Sequence, residues 1–218
     1  SAASDVYKRQ CQNYGKDRKY ASDRIYSCSC WNIKNNADKE WKDMKENIKV
    51  LISEEEVNEK IKEMGEKISR EYAGKELHMI CVLKGGVFFM TELAKRITVP
   101  VSMDFMAVSS YAGTQSTCKV KIIKDLDEPV EGKDVLVVED IVDTGRTLSV
   151  LLDMFRQRGA ASVKLCTLLD KPEGRVTEVP VDYECFTVPD KFVVGYGLDY
   201  NQKYRNLPYI GVIEFEEV

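Results

Sequence analysis

The chain has 218 residues, a net charge of −4 and 31% charged residues. That length suits one α/β domain, or one domain with a tail, and the mild acidity argues against nucleic acid as the main partner, which calls for clustered Lys and Arg. No apolar run approaches the roughly 18 residues that span a bilayer, and the N-terminus lacks a signal pattern, so the expectation is a cytoplasmic protein without membrane contact.

Residues 1–43 are polar and irregular, with no sustained helix or strand period. They carry Cys11, Cys28 and Cys30. No second cysteine pair follows and His78 is the only histidine, which speaks against a four-ligand zinc site. The odd number of cysteines, seven, speaks against a disulfide framework. The stretch Asp5 to Gln10, DVYKRQ, back-translates to a sequence resembling a transposon-end adapter. The expectation is a disordered or artefactual extension over 1–43, with Met44 as the start of a domain spanning 44–218.

Beyond Met44 the pattern is orderly. Ser53-Glu54-Glu55-Glu56 forms a capping box, in which Ser and Glu three places apart satisfy orphan backbone N–H groups. Val57, Ile61, Met64, Ile68 and Tyr72 then make one helical stripe, with Gly74 as its stop. Leu77 to Leu83 predicts a buried strand. A Gly-Gly turn leads into a helix from Val87 to about Ile97, before Pro100, and a strand follows from Val101 to Val108. Val135 to Val138 is a short apolar strand. Leu148, Leu151, Leu152 and Phe155 give the next helix its core face, ended by Gly159, and Val163 to Leu169 is strand again. Cys81 and Cys166 lie in apolar runs and read as small core residues. Strands alternating with helices imply a parallel sheet covered on both faces. The turn-rich region after Leu169 reads as an added cap.

The segment Val135 to Ser149, VLVVEDIVDTGRTLS, carries the chemistry. Open α/β sheets bind ligands at the carboxyl ends of their strands. There Glu139 and Asp140 can accept hydrogen bonds from a vicinal diol such as ribose, or hold Mg²⁺, a hard ion that prefers oxygen. Asp143-Thr144-Gly145-Arg146-Thr147 then leads directly into a helix. Gly145 permits close backbone approach, and backbone N–H groups with the Thr144 and Thr147 hydroxyls can ring a phosphate at the positive helix end. A mere helix N-cap would not need four polar groups between two apolar runs. A P-loop would need Gly-x-x-x-x-Gly-Lys, and an aspartic protease would need a second Asp-Thr-Gly on strand-rich lobes.

Glu-Asp-Ile-Val-Asp-Thr-Gly-Arg-Thr resembles the phosphoribosyl pyrophosphate motif of type I phosphoribosyltransferases. LKGG at Leu83 to Gly86, SSY at Ser109 to Tyr111, VKIIKDLD from Val120 and DKFVVGYGLDYNQKYRNLPYIGV from Asp190 resemble the hypoxanthine-guanine branch of that family. The similarity spans Ile48 to Ile213. It implies a type I phosphoribosyltransferase fold, with a parallel sheet core, flanking helices and a small cap. It also implies transfer of 5-phosphoribosyl from phosphoribosyl pyrophosphate to a 6-oxopurine base with Mg²⁺, in a homodimer or homotetramer. Asp143 matches the general acid/base near N7 of the purine. Glu139 and Asp140 match the ribose-binding, magnesium-associated pair, and Thr144, Gly145, Arg146 and Thr147 match the 5′-phosphate loop. Lys84 and Gly85 match a pyrophosphate loop that in the family contains a cis peptide. Lys171 matches the lysine that bonds the purine O6, Phe192 the ring that stacks on the base, and Val193 a backbone contact to the base edge. Asp199 matches a magnesium ligand and Arg205 an arginine on the pyrophosphate. Ser110 and Tyr111 fall in the mobile loop that closes over the site. One departure is Ser116-Thr117-Cys118, where the family commonly has Ser-Thr-Gly; a β-carbon there disfavours positive φ. The open alternatives are a transferase that prefers xanthine or accepts 6-oxopurines broadly, and a regulatory nucleotide- or RNA-binding module of the same fold.

Overall fold

Ser53 opens the first helix through the capping box read from the sequence: the Glu56 amide donates to its hydroxyl at 3.2 Å, and its own amide donates to the Glu56 carboxylate at 2.8 Å. The computed structural model describes residues 44–112 and 118–217. The expectations for 1–43 and for Ser116-Thr117 fall outside the described residues, as do the side chains of Ser110, Tyr111 and Cys118. The described elements are strand β1 (Met44–Ile52), helix α1 (Glu54–Glu71), β2 (Leu77–Leu83), α2 (Val87–Ala94), β3 (Val101–Ala112), β4 (Cys118–Lys124), β5 (Asp134–Val142), α3 (Arg146–Gln157), β6 (Ser162–Asp170), β7 (Tyr183–Thr187), β8 (Val193–Val194) and β9 (Ile210–Glu217).

The main sheet has the order β4-β3-β2-β5-β6-β7. All its pairings are parallel except β3 with β4, so it is mixed rather than purely parallel. Strand residues alternate between faces, and β5 shows the result. Leu136 and Val138 pack with Val57, Ile61 and Ile68 of α1 and with Phe89 and Leu93 of α2. Val135 and Val137 pack with Leu148, Leu151, Leu152 and Phe155 of α3. Cys81 and Cys166 are fully buried, in line with their place in apolar runs.

Four boundaries differ from the sequence reading. Helix α2 ends at Ala94, three residues before the expected Ile97. β3 runs on to Ala112 because β4 pairs with its second half. β5 continues through Glu139 and Asp140 to Val142, since β6 pairs with it as far as Val142↔Asp170. The cap is not simply the chain beyond Leu169. β7 joins the main sheet, and the smaller sheet, β1-β9-β8, borrows its edge strand from the N-terminal side. Among the described residues no helix is long and apolar enough to cross a membrane.

His78 gives the fold a pH signature. It is 4% exposed, its Nδ1 lies 2.7 Å from the Ser102 hydroxyl, and its Nε2 has no hydrogen-bond partner among the described residues. Burial holds the imidazole below its ordinary 6.5. The unfolded chain therefore takes up the proton first. The contribution is whole above pH 6.5 and is lost as pH falls toward the lower folded value. The buried carboxyls of Asp140 and Asp170, whose pKa values are raised, act with the opposite sign, so the difference between variant and parent isolates the histidine. Urea unfolding between pH 7 and about 5 should show His78→Gln losing less stability than the parent over this range; equal losses would refute the assignment.

Candidate active site

β5 delivers three carboxylates to its C-terminal end in five residues. Glu139 is fully buried, and Asp140 and Asp143 are each 1% exposed. Burial raises the Asp140 carboxyl, opposed by the Ile141 amide at 3.0 Å and by the charge of Arg205. Its Oδ2 has no hydrogen-bond partner among the described residues.

Against Asp140 lies the turn between β2 and α2. Its Leu83–Lys84 peptide is cis, which puts that feature where the resemblance located it. Lys84 is exposed. Gly85 is pressed between two groups: a β-carbon there would stand 1.6 Å from the Asp140 Oδ2, and the Gly85 carbonyl reaches within 1.9 Å of where a Gly197 β-carbon would be. Only glycine allows the turn to thread between β5 and the 195–207 loop. That loop holds Arg205, whose guanidinium pairs with Asp199 at 2.5 Å and donates to the Gly197 carbonyl at 2.6 Å. Asp199 also accepts from the Gln202 amide at 2.8 Å. No group of three or more His, Cys, Asp and Glu able to hold a metal is gathered among the described residues. Glu139, Asp140 and Asp199 therefore do not form a common three-carboxylate cage.

After Val142 the chain turns into the N-terminus of α3. Gly145 is the N-cap residue at φ 75°, and among the described residues no side chain caps the helix. Asp143, Thr144, Gly145 and Thr147 are buried, and Arg146 is exposed. The turn is braced by residues 175–177. The Arg175 Nε donates to the Asp143 carbonyl at 3.0 Å, and the Val176 and Thr177 amides donate to the Thr144 carbonyl at 3.0 and 2.9 Å. In a trans peptide C=O and N–H point in opposite directions. With both carbonyls engaged on the 175–177 side, the Thr144 and Gly145 N–H groups point away from it, as an anion-binding turn requires.

Lys171 follows β6 directly, and its amide donates to the Val142 carbonyl at 2.9 Å. Its side chain is fully buried, with Nζ 2.8 Å from Asp190 Oδ1 and 3.2 Å from the Lys191 carbonyl. An ammonium has three donors, so these contacts leave one for a ligand. The same contacts bring residues 190–192 to the end of β6. Phe192 is 8% exposed and meets Tyr200 edge-on at 5.4 Å, packed with Val194 and Ile213. Val193 pairs with Val212 in the smaller sheet. Ser110 and Tyr111 lie on β3 opposite Val120 and Lys119.

The sequence reading gave no role to Asp190 or Arg175. Asp190 stood inside a quoted motif, and a lysine beside a buried strand end was the signal that a carboxylate must sit nearby. Arg175 had no such signal, because its partners, Asp170 and the Asp143 carbonyl, are set by the folding back of residues 171–177.

The phosphoribosyl transferase domain family matches residues 52–201. A hypoxanthine-guanine phosphoribosyltransferase from Streptococcus thermophilus is 56% identical over 169 residues, covering 77% of this chain and 94% of that protein. The bifunctional protein TilS/HprT of Listeria monocytogenes is 59% identical over 169 residues, which is 77% of this chain and 26% of that protein. The crystal structure of a hypoxanthine phosphoribosyltransferase from Staphylococcus aureus superposes with a TM-score of 0.74 at 45% identity, covering 83% of this chain and 96% of that one. On the family match, these identities and the shared fold, the chain belongs to the hypoxanthine-guanine branch of the type I phosphoribosyltransferases.

Proposed function

We propose that this protein transfers 5-phosphoribosyl from phosphoribosyl pyrophosphate to N9 of hypoxanthine or guanine, giving IMP or GMP and pyrophosphate. The observation that carries the reading is the end of β5: buried carboxylates Glu139, Asp140 and Asp143 run into a glycine turn whose amides face away from its brace. Asp143 holds the proton at N7 as the bond to N9 forms. The Thr144, Gly145, Arg146 and Thr147 turn binds the 5′-phosphate, and Glu139 and Asp140 accept from the ribose hydroxyls. Lys84, Gly85 and Arg205 flank the pyrophosphate, and Ser110 and Tyr111 close over it to exclude water. The remaining Lys171 donor meets the purine O6, with Phe192 and Val193 completing the base site. An oxocarbenium-like transition state gains mainly from orientation and charge stabilisation in such a site.

Magnesium fits the donor set. The Asp140 Oδ2 is a buried oxygen with no hydrogen-bond partner among the described residues, and Mg²⁺ takes one or two carboxylates while keeping waters and substrate phosphates. A three-carboxylate cage is not needed for that mode, so Glu139 and Asp140 would hold magnesium from β5 and Asp199, which pairs with Arg205, would meet it from the 195–207 loop. When bound, the ion neutralises pyrophosphate charge. We propose further that the protein assembles as a homodimer or homotetramer, as the resemblance implies, and that it resides in the cytoplasm, as the absence of a spanning apolar run and a signal pattern in the sequence suggests.

A panel of hypoxanthine, guanine, xanthine and adenine with phosphoribosyl pyrophosphate and Mg²⁺ tests the reading, with nucleotide formation as the measurement. Turnover of hypoxanthine and guanine is expected and adenine should fail, since it offers a donor where O6 accepts. Xanthine outpacing both would replace the assignment with a xanthine transferase. Lys171→Met should cost about 1.5–3 kcal/mol of transition-state binding, lowering kcat/KM for 6-oxopurines roughly 10- to 150-fold. An unchanged value would remove Lys171 from the base site.

A further inference from the structure

The turn that carries Asp143 does not hold itself. Its first peptide plane, between Asp143 and Thr144, is gripped by one side chain anchored on the end of the neighbouring strand β6. The Arg175 Nε donates to the Asp143 carbonyl at 3.0 Å, while its Nη2 forms a close ion pair with Asp170, the last residue of β6. The Arg175 side chain is 10% exposed and that of Asp170 13%, so water competes little with either contact. The Arg175 side chain also lines the glycine: a β-carbon on Gly145 would stand 3.1 Å from its Cδ. A planar fork suits this task, because it can donate in two directions with its geometry fixed.

We infer that Arg175 is a positioning residue for phosphoribosyl transfer, tying the Asp143 carbonyl to Asp170 so that one side chain sets both the Asp143 backbone and the direction of the Thr144 amide. The inference rests on the reading of Asp143 and Thr144 as the reacting and phosphate-binding residues. It has a mechanical consequence. Asp170 precedes Lys171, which holds the base side of the site, and pairs with Val142 in the β5–β6 ladder, so Arg175 extends that ladder by a side-chain link from the base-binding strand end to the phosphate-binding turn of the neighbouring strand. Misplacement of a reacting group by about 1 Å can cost roughly 10²-fold in rate, which sets the scale of what this link can control.

Arg175→Lys is the first test. An ammonium can keep the Asp170 pair, but it lacks the Nε donor set partway along the side chain that reaches the Asp143 carbonyl. Steady-state kinetics should show kcat/KM for phosphoribosyl pyrophosphate falling roughly 10- to 100-fold, with its KM raised and the KM of the base changed by no more than about twofold. A purely structural role would lower only the fraction of active protein, leaving kcat per titrated active site and both KM values in place, and that pattern would overturn the inference. Arg175→Met is the second variant, with free guanidinium added back. Recovery of kcat toward the parent value supports the link, and failure to recover in a variant that melts with the parent overturns it. Asp143→Asn is run beside them. If it is inactive while Arg175→Lys matches the parent, the positioning role alone is wrong. If Asp143→Asn is as active as the parent, the reading of the turn itself is wrong.

Discussion

Replacing Asp143 with asparagine should cut turnover by about 10²–10⁴-fold while the protein still folds and still binds nucleotide. The carboxylate is 1% exposed at the end of β5, in a setting where a positioned proton acceptor needs no reorganisation when the base loses its proton. Asparagine has nearly the same shape and keeps the packing, so the loss should fall on kcat, not on the KM of phosphoribosyl pyrophosphate. Pre-steady-state measurement of nucleotide formation separates chemistry from product release. A chemical step at the parent rate would remove Asp143 from the reaction. The backbone of the residue is tied independently through its carbonyl to Arg175, so the substitution tests the carboxylate without loosening the turn.

This residue also shows what the sequence makes legible. Polar groups bunched between two apolar runs have few explanations, and the bunch at 139–147 pointed to the site before any contact was visible. Helix α1 was equally plain, since the capping box and the stripe from Val57 to Tyr72 are local patterns with one periodicity. What stayed hidden depends on partners distant in the chain. β5 extends through two carboxylates, against their low strand propensity, because β6 supplies the ladder. β1 leaves Val50 59% and Leu51 36% exposed, so no alternation marks it as a strand until β9 pairs with it. Helix α2 looked three residues longer because Ile97 continues an apolar pattern and is itself buried, although the helix has already ended at Ala94. The ion pair of Lys171 with Asp190 joins residues from separate segments, and so does the Arg175 bridge.

Gly145→Ala should damage both stability and phosphate binding, and a second glycine shows why. Gly145 sits at φ 75° and Gly74 at φ 80°, so alanine at either position carries the same conformational penalty, of about 1–3 kcal/mol. Their surroundings differ. A β-carbon on Gly74 meets nothing within 4 Å, whereas one on Gly145 would stand 2.1 Å from the Thr177 carbonyl oxygen. That oxygen is backbone, in the segment whose amides hold the Thr144 carbonyl, so it cannot move without releasing the turn. Gly74→Ala should therefore lower Tm by about 2–4 °C for each kcal/mol lost and leave kinetics untouched. Gly145→Ala should melt lower than Gly74→Ala and also raise the KM of phosphoribosyl pyrophosphate, because displacing residues 175–177 turns the Thr144 and Gly145 amides off the phosphate. Calorimetry and steady-state kinetics on the two variants read the difference directly. Equal melting temperatures would mean that the turn tolerates the β-carbon, and a lower melting temperature with an unchanged KM would mean that its amides do not hold the 5′-phosphate.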